Sequence, residues 1–262
     1  MKKTLTLIAS LLLTMAAEAQ TVNIHMTDGT VINYPSANVS YIDFTVKNDP
    51  EPSTAPEGVV AVDLGLPSGT KWANMNVGAT KPEEFGLYFA WGETTGYTSD
   101  ITDGRSFNWE SYKWCNGSQD SMTKYCTKRS YGTEDKKTTL ELADDAVHVN
   151  WGGSWVMPTI EEIEELIANT TSEWTTVNDV KGRKFTSKTN GNSVFLPAAG
   201  YRYDTNTYHQ GTNGYYYGYY WSASLNKSYP YAARFLYFGS GEQSSSYLSR
   251  DLGIQVRPVL RK

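Results

Sequence analysis

Residues 152–167, with the sequence GGSWVMPTIEEIEELI, contain the signals that decide how this chain folds. Thr159 follows Pro158 and lies three residues before Glu162, which is the spacing of a helix capping box. Apolar residues then recur at helical spacing, at Ile160, Ile163, Leu166 and Ile167. The segment therefore predicts an amphipathic helix that begins immediately after Thr159.

Four acidic residues crowd this helix, namely Glu161, Glu162, Glu164 and Glu165. Carboxylates this close together can form an acid–base pair. Acidic side chains are also favourable on a solvated helix face and near the positive N-terminal end of the helix dipole. We favour this second interpretation. A second short helix is predicted at residues 140–147, where Asp144 and Asp145 serve as cap or solvated residues rather than as metal ligands.

Short β-strands are predicted on both sides of the helix. Downstream, runs rich in Tyr, Phe and Val are separated by Gly, Asn, Ser and Thr, and we expect strands at residues 195–197, 219–222, 234–238 and 254–259. Upstream, Val22 and Ile24 alternate with polar residues, and Asp28-Gly29 is a hairpin turn signal before a return strand at Val31. A further strand is predicted at residues 39–46. This order predicts an α+β fold with irregular loops.

The composition along the chain predicts a division into four segments. Residues 1–19 have the basic start, short apolar run and small-residue exit of a secretory signal peptide. Residues 20–47 form a small β-module, and residues 48–58, NDPEPSTAPEG, form a linker rich in proline. The main domain is expected at residues 59–262. No later apolar run is long enough to span a bilayer, so no membrane insertion is expected after signal removal.

Charge limits the possible partners. The chain has 23 basic and 28 acidic residues, and removal of Lys2, Lys3 and Glu18 with the signal leaves 21 against 27, a net charge of −6. Nucleic acid and anionic membranes attract basic surfaces, so neither is expected as a partner.

Several motifs resemble the Fibrobacter succinogenes major paralogous domain family. They are GGSWVMPT at 152–159, WANMNVG at 72–78, FGLYFAWG at 85–92, LPAAGYR at 196–202, YWSAS at 220–224 and GIQVRPV at 253–259. The resemblance covers about residues 61–260. It implies a C-type-lectin-like fold, similar also to formylglycine-generating enzymes, with Trp221, Gly253 and Arg257 in the scaffold. The N-terminal β-module has a weaker likeness to secreted Bacteroidetes proteins. Together with the signal peptide, this implies a secreted bacterial protein that is periplasmic, cell-surface or extracellular.

Catalytic and cofactor chemistry find little support in the sequence. Formylglycine-generating relatives use a late cysteine pair, whereas no cysteine follows Cys126. The three histidines, His25, His148 and His209, lie far apart, and no zinc-ligand spacing occurs. The carboxylate-proline-amide triplets of calcium-dependent lectins do not occur either. We expect no enzyme activity, no metal and no cofactor.

Two cysteines, Cys115 and Cys126, are a disulfide candidate. An export signal supports the pairing, because exported chains meet an oxidising environment. The alternative is two unpaired thiols, and the spacing alone does not decide between them.

The last quarter of the chain is rich in tyrosine. Residues 197–262 hold 12 of the 19 tyrosines, interleaved with Asn, Ser, Thr and Gly. This is the composition of an antibody-like paratope, although tyrosine also suits ordinary strands. We expect a surface that binds a protein or a glycan. Its predicted residues are Tyr201, Tyr203, Asn206, Tyr208, His209, Asn213, Tyr215, Tyr216, Tyr217, Tyr219, Tyr229, Tyr231, Tyr237 and Tyr247.

The same segment is similar to variable proteins of diversity-generating retroelements, whose template adenines are mutated so that Asn codons become Tyr, Ser, Asp, His or Thr. This likeness implies a fixed frame at Gly200, Arg202, Trp221, Phe235, Phe238, Arg250, Gly253 and Arg257. It implies variable positions at Tyr201, Tyr203, Asp204, Asn206, Tyr208, His209, Asn213, Tyr215, Tyr229, Tyr237 and Tyr247. An ordinary family member could show the same pattern. The alternative function is a structural or assembly component that adds strands to a partner through the β-module at residues 20–47.

Overall fold

The computed structural model describes residues 21–25, 30–35 and 54–261, and it divides the chain into two compact units, residues 1–49 and 50–262. The boundary between the units falls inside the predicted linker at residues 48–58. The predicted signal peptide and the predicted strand at residues 39–46 lie outside the described residues.

The first unit contains the predicted hairpin. Strand β1 (Thr21–His25) pairs antiparallel with β2 (Val31–Pro35), and Ile24 lies opposite Ile32. Val31 is 44% exposed and Ile32 is 39% exposed. Because neighbouring residues of a strand point to opposite faces, this hairpin exposes apolar side chains on both of its faces.

The second unit contains the remaining strands and both α-helices. Their bounds are β3 (Ala61–Val62), β4 (Lys71–Ala73), α1 (Ala146–Trp151), β5 (Trp155–Val156), α2 (Ile160–Asn169), β6 (Thr170–Val177), β7 (Val180–Ser187), β8 (Ser193–Pro197), β9 (Tyr201–Tyr203), β10 (Asn206–Tyr208), β11 (Gly218–Leu225), β12 (Ala232–Phe238), β13 (Gln243–Ser249) and β14 (Val259–Leu260). Short 3₁₀ turns lie at Ile101–Asp103, Arg129–Tyr131, Leu142–Asp144 and Thr212–Gly214. Helices make up 12% of the described residues and strands 37%, which is compatible with the predicted α+β class.

The strands form several small antiparallel sheets. Strand β14 lies between β4 and β5 in a sheet of order β3-β4-β14-β5, so the C-terminal end of the unit pairs with its first strands. Strands β6, β7 and β8 form one further sheet, and β11, β12 and β13 form another. The β9–β10 hairpin stands by itself.

Helix α2 begins as the sequence predicts. Thr159 accepts a hydrogen bond from the backbone N–H of Glu162, and the Glu162 carboxylate accepts one from the backbone N–H of Thr159, which completes the capping box. Ile160, Ile163 and Leu166 are buried. They share an apolar cluster with Tyr220, Leu236 and Phe238 of the β11–β12–β13 sheet.

The helix carboxylates do more than face solvent. Glu162 forms an ion pair with Arg261 and accepts a hydrogen bond from Thr70. Glu165 accepts hydrogen bonds from the backbone and side chain of Ser68. Glu164 forms an ion pair with Arg234. The helix carboxylates therefore bind three other segments of the chain. The solvated-face interpretation is therefore incomplete.

Three arginines are fully buried in this unit, namely Arg202, Arg250 and Arg257. Arg257 donates to the Asn76 amide oxygen and to the carbonyls of Ala73 and Phe195, at 2.8–2.9 Å. Burial lowers the pKa of Arg257 to about 10, so its guanidinium stays charged at neutral pH. Trp221 is also fully buried, and a Cβ at Gly253 would lie 2.6 Å from the Phe107 ring, so all three predicted scaffold residues lie in the interior.

The second helix differs from its prediction. Residues 142–144 form a 3₁₀ turn, and α1 begins only at Ala146 and continues to Trp151. Asp145 causes this start, because its carboxylate accepts hydrogen bonds from the backbone N–H groups of Val147 and His148. The cap interpretation of Asp145 is confirmed. Asp144 instead binds the Lys124 ammonium and the Tyr125 hydroxyl.

Several strand predictions need correction as well. The strands predicted at 195–197, 219–222 and 234–238 lie within the longer β8, β11 and β12. The prediction at 254–259 is largely wrong, since Ile254 and Gln255 make isolated bridges and a strand forms only at Val259–Leu260. The β6–β7 hairpin and β13 were not predicted.

The predicted disulfide does not form. Cys115 and Cys126 are both free thiols. The Sγ of Cys115 donates to the Trp109 carbonyl at 3.1 Å, and the Sγ of Cys126 donates to the Lys128 carbonyl at the same distance. Each thiol is thus satisfied by its own loop, and burial raises the pKa of Cys115.

Candidate functional site

Seven of the predicted site residues form one connected aromatic patch in the second unit. We call this patch the ring surface; its members are Tyr201, Tyr208, His209, Tyr215, Tyr217, Tyr219 and Tyr237. The β9–β10 hairpin, the turn that follows it, and the facing ends of β11 and β12 supply these residues.

Four of the nine ring contacts within the ring surface are stacked, and the other five are T-shaped or tilted. The Tyr201 and Tyr208 rings stack with centroids 5.3 Å apart and an interplanar angle of 17°. Tyr217 lies between two further partners, since it stacks on Tyr237 at 5.4 Å and on Tyr215 at 6.3 Å. Stacked rings cover each other's faces, so much of what remains accessible is ring edge. Tyr215, at one end of its stack, is 56% exposed.

Strand alternation explains which tyrosines face this patch. Tyr219 lies in β11, directly opposite Tyr237 on β12, and Tyr217, two residues before Tyr219, stacks on the same Tyr237 ring. Phe235, which sequence reasoning did not include in the site, stacks beneath Tyr219 at 5.7 Å. The buried side of the ring surface therefore continues into the core cluster that contains Trp221.

A constrained backbone holds the patch in place. Gly200 has φ +65°, and a Cβ there would lie 1.9 Å from the Tyr208 carbonyl oxygen. The Gly200 N–H donates to the Tyr217 carbonyl, and the Tyr217 N–H donates to the His209 carbonyl. His209 itself has φ +58°, a left-handed conformation that is uncommon outside glycine. These bonds join the hairpin to the start of β11.

His209 lies at the centre of the ring surface. Its Nδ1 lies 2.7 Å from the Tyr219 hydroxyl oxygen. Its ring also contacts Tyr201, Tyr215 and Tyr217 at centroid distances of 5.1–6.3 Å. Burial lowers the pKa of His209 below 6.5 and raises the pKa values of Tyr219 and Tyr237. Burial therefore disfavours a charge on each of these three side chains.

Three other predicted residues form a separate group. We call it the second tyrosine cluster; it contains Tyr229, Tyr231 and Tyr247, together with Tyr131, which sequence reasoning missed. Tyr231 immediately precedes β12, and Tyr237 lies near the end of that strand, six residues further along the chain. A strand rises about 3.4 Å per residue, so roughly 20 Å separates them.

The remaining predicted residues lie outside both groups. Tyr216 packs with the core cluster under α2, and the Lys181 ammonium lies 4.0 Å from its ring centroid. Tyr203 and Asn206 are exposed beside the turn of the β9–β10 hairpin. Asn213 is exposed in the Thr212–Gly214 turn with φ +57°. The structure thus separates the residues of the single predicted surface into the ring surface, the second tyrosine cluster and four residues outside both.

The described part of the chain shows neither a metal site nor a membrane-spanning helix. Residues 21–25, 30–35 and 54–261 contain no group of three or more His, Cys, Asp or Glu side chains placed to hold a metal ion. Over the same residues, no helix is long and apolar enough to cross a membrane.

Comparison with known proteins gives one match. A family model described as a domain of unknown function, DUF8237, matches residues 165–259. No curated protein and no solved structure matches the chain significantly. The matched region contains the whole ring surface and every member of the second tyrosine cluster except Tyr131. The chain is therefore similar, over strands β6 to β13 and the segment up to Val259, to a domain whose function is not assigned.

Proposed function

We propose that this chain is an exported, non-enzymatic binding protein that recognises a protein ligand through the ring surface. The observation that carries the proposal is the connected patch of seven rings, with Tyr215 56% exposed at its edge. Tyrosine supplies a large amphipathic contact area and loses little side-chain entropy on binding.

The geometry favours a protein over a glycan at this patch. Sugars stack on open ring faces, whereas Tyr201, Tyr208, Tyr217 and Tyr237 cover one another in parallel stacks. The hydrogen bonds that tie Gly200 and His209 to Tyr217 fix the patch before a ligand arrives. A fixed aromatic surface reduces the entropy lost on association, as in matured antibody paratopes.

A C-type-lectin-like scaffold is part of the proposal. The four tryptophans of the family-like motifs are buried: Trp72, Trp91 and Trp221 are each no more than 1% exposed, and Trp155 is 7% exposed. Strand β14 also pairs with β4, so the two ends of the unit meet in one sheet. Both observations support a scaffold of this kind, and an experimental structure of the unit would test it.

Burial also supports diversification by a retroelement. All eight frame positions expected from that likeness are buried, among them Arg202, Trp221 and Arg250. All eleven expected variable positions are exposed or half-buried. Substitution at the exposed positions among these, such as Tyr203, Asn206 and Asn213, would change the surface while the buried frame stays in place. The expected genomic finding is a near-identical, adenine-rich template copy beside a reverse-transcriptase gene. If no such copy exists, diversification is rejected and the proposed binding function is unaffected.

The binding function is tested by screening the purified chain from residue 20 onward against matched protein and glycan arrays. We expect protein hits that weaken when Tyr208, Tyr215 and Tyr217 are replaced together by alanine. Tyr215 is largely exposed, so a single Tyr215→Ala variant serves if the triple variant does not fold. If the array proteins bind these variants as strongly as they bind the unaltered chain, the proposal is overturned.

A second function is favoured by the first unit. The β1–β2 hairpin exposes Val31 and Ile32 on its two faces, as a module that adds to a partner's sheet would. Deletion of residues 21–47 separates the two functions. If the deletion abolishes ligand binding and Tyr215→Ala does not, the assembly function replaces the ring-surface function.

A further inference from the structure

The second tyrosine cluster, formed by Tyr131, Tyr229, Tyr231 and Tyr247, has a different character from the ring surface. Its rings are tilted rather than stacked, with interplanar angles of 43° for Tyr131 with Tyr231, 49° for Tyr229 with Tyr231, and 31° for Tyr229 with Tyr247. Tyr229 is 42% exposed and Tyr247 is 49% exposed. Tilted, exposed rings leave faces open for stacking by a ligand.

Basic residues lie in the same two loops as Tyr131, Tyr229 and Tyr231. The Lys128 ammonium lies 5.9 Å from the Tyr229 ring centroid and donates to the Ser228 carbonyl at 2.6 Å. The Thr127 hydroxyl donates to the Lys227 carbonyl at 2.9 Å, which ties the two loops together. Lys128, Arg129 and Lys227 are all exposed. The chain as a whole is acidic, with a net charge of −5, so this local group of cations stands out.

Nearby carboxylates have other partners. Asp135 accepts hydrogen bonds from the backbone N–H groups of Tyr125 and Cys126. Glu134 lies 3.7 Å from the Lys136 ammonium. The ion pair of Glu134 with Lys136 is neutral as a whole, and Lys128, Arg129 and Lys227 outnumber Asp135, so positive charge prevails beside the tyrosines.

We propose that the second tyrosine cluster is a separate binding site for an acidic polysaccharide. Pyranose rings stack on the open faces of Tyr229 and Tyr247, while the acidic groups of the chain pair with Lys128, Arg129 and Lys227. A sugar chain uses both features at once, because each acidic residue carries an apolar C–H face and an anionic substituent. An acidic peptide would use the cations and gain less from the tilted rings. Tyr247 lies opposite Arg234 on β12, and Arg234 points to the opposite face of the sheet from Tyr237, so both sites can be occupied together.

The test is calorimetric titration of the chain from residue 20 onward at low salt. The probes are hexagalacturonate, a heparin hexasaccharide, neutral maltohexaose, hexaglutamate and a thymidine hexanucleotide. We expect either acidic sugar to bind, and we expect its affinity to fall at least fivefold between 50 and about 200 mM salt, because the cations are exposed. Maltohexaose should bind at least tenfold more weakly.

Two substitutions at exposed residues and two controls locate the site. Lys128→Gln and Tyr229→Ala should each lower acidic-sugar affinity at least fivefold, and Tyr229→Phe should retain it. Tyr215→Ala, in the ring surface, should leave it unchanged. The proposal is overturned if neither acidic sugar binds. It is also overturned if Lys128→Gln and Tyr229→Ala bind the acidic sugar as tightly as Tyr229→Phe and the unaltered chain do. Binding of hexaglutamate or the hexanucleotide as tightly as the sugars would overturn it as well.

Discussion

The His209 Nδ1 lies 2.7 Å from the hydroxyl oxygen of Tyr219, at the point where the hairpin and β11 meet. Three further tyrosine rings surround this pair, so a charge on His209 would be poorly solvated. Burial accordingly lowers the pKa of His209.

The His209→Asn variant should show the pH dependence of this contact. A histidine whose folded pKa lies below its unfolded value of about 6.5 stabilises the fold above that pH and loses this contribution as the pH falls. The free energy of unfolding of the wild type should therefore fall relative to that of the variant as the pH is lowered from 7 to 5. Asparagine tolerates positive φ, which suits this position. Urea unfolding at both pH values measures the difference, and a constant difference would contradict the assignment.

Gly200→Ala should cost more stability than Gly191→Ala. Both glycines have positive φ, +65° and +75°, so both substitutions strain the backbone by about 1 kcal/mol. Only Gly200 also faces a carbonyl oxygen, 1.9 Å from the new Cβ, whereas Gly191 faces open space. Equal loss of unfolding free energy in the two variants would mean that Tyr208 does not pack closely over Gly200.

Arg257→Lys should destabilise the second unit by about 3 kcal/mol or more. Lysine cannot reproduce three separate hydrogen bonds to Asn76, Ala73 and Phe195, and it would leave buried carbonyls unsatisfied. Arg261→Lys is the control, because its ion pair with Glu162 is partly exposed and should change stability by less than about 1 kcal/mol. Chemical unfolding compares the two, and similar values would show that Arg257 is not buried as described.

Asp251→Asn should stabilise the fold at neutral pH. Asp251 is 2% exposed, and burial raises its pKa to about 6. Because its folded pKa exceeds the unfolded value of about 3.9, the wild type loses stability as the pH rises from 4 to 6. At pH 7 the variant should be more stable by on the order of 2 kcal/mol, and at pH 4 the two should be equal. A variant less stable at pH 7 would show that the Asp251 carboxylate is held by favourable contacts.

Local signals predicted the parts of the fold that local chemistry controls. The capping box of Thr159 and Glu162 gave the start of α2, and Asp28-Gly29 gave the first hairpin. The β6–β7 hairpin had a signal that was overlooked. Asn178 and Asp179 both have positive φ, as a two-residue hairpin turn requires, and Asn-Asp is a favourable pair for it.

Non-local contacts explain what the sequence did not reveal about the site. Strand alternation separates Tyr216 from Tyr217 and Tyr219, but the register that pairs Tyr219 with Tyr237 depends on the whole sheet. Tyr131 meets Tyr231 across about a hundred residues with no periodicity to signal it. The spacing of Cys115 and Cys126 permitted a disulfide, but each thiol is directed to a carbonyl of its own loop.

The central claim concerns the ring surface, and affinity for a protein hit from the array tests it most directly. Interferometry would compare Tyr215→Ala with Tyr247→Ala, two exposed tyrosines in different patches. We predict that Tyr215→Ala lowers affinity at least tenfold, about 1.4 kcal/mol, because it removes an aromatic contact at the edge of the patch. Tyr247→Ala should change affinity less than twofold. Unchanged affinity in Tyr215→Ala, or an equal loss in both variants, would contradict the claim.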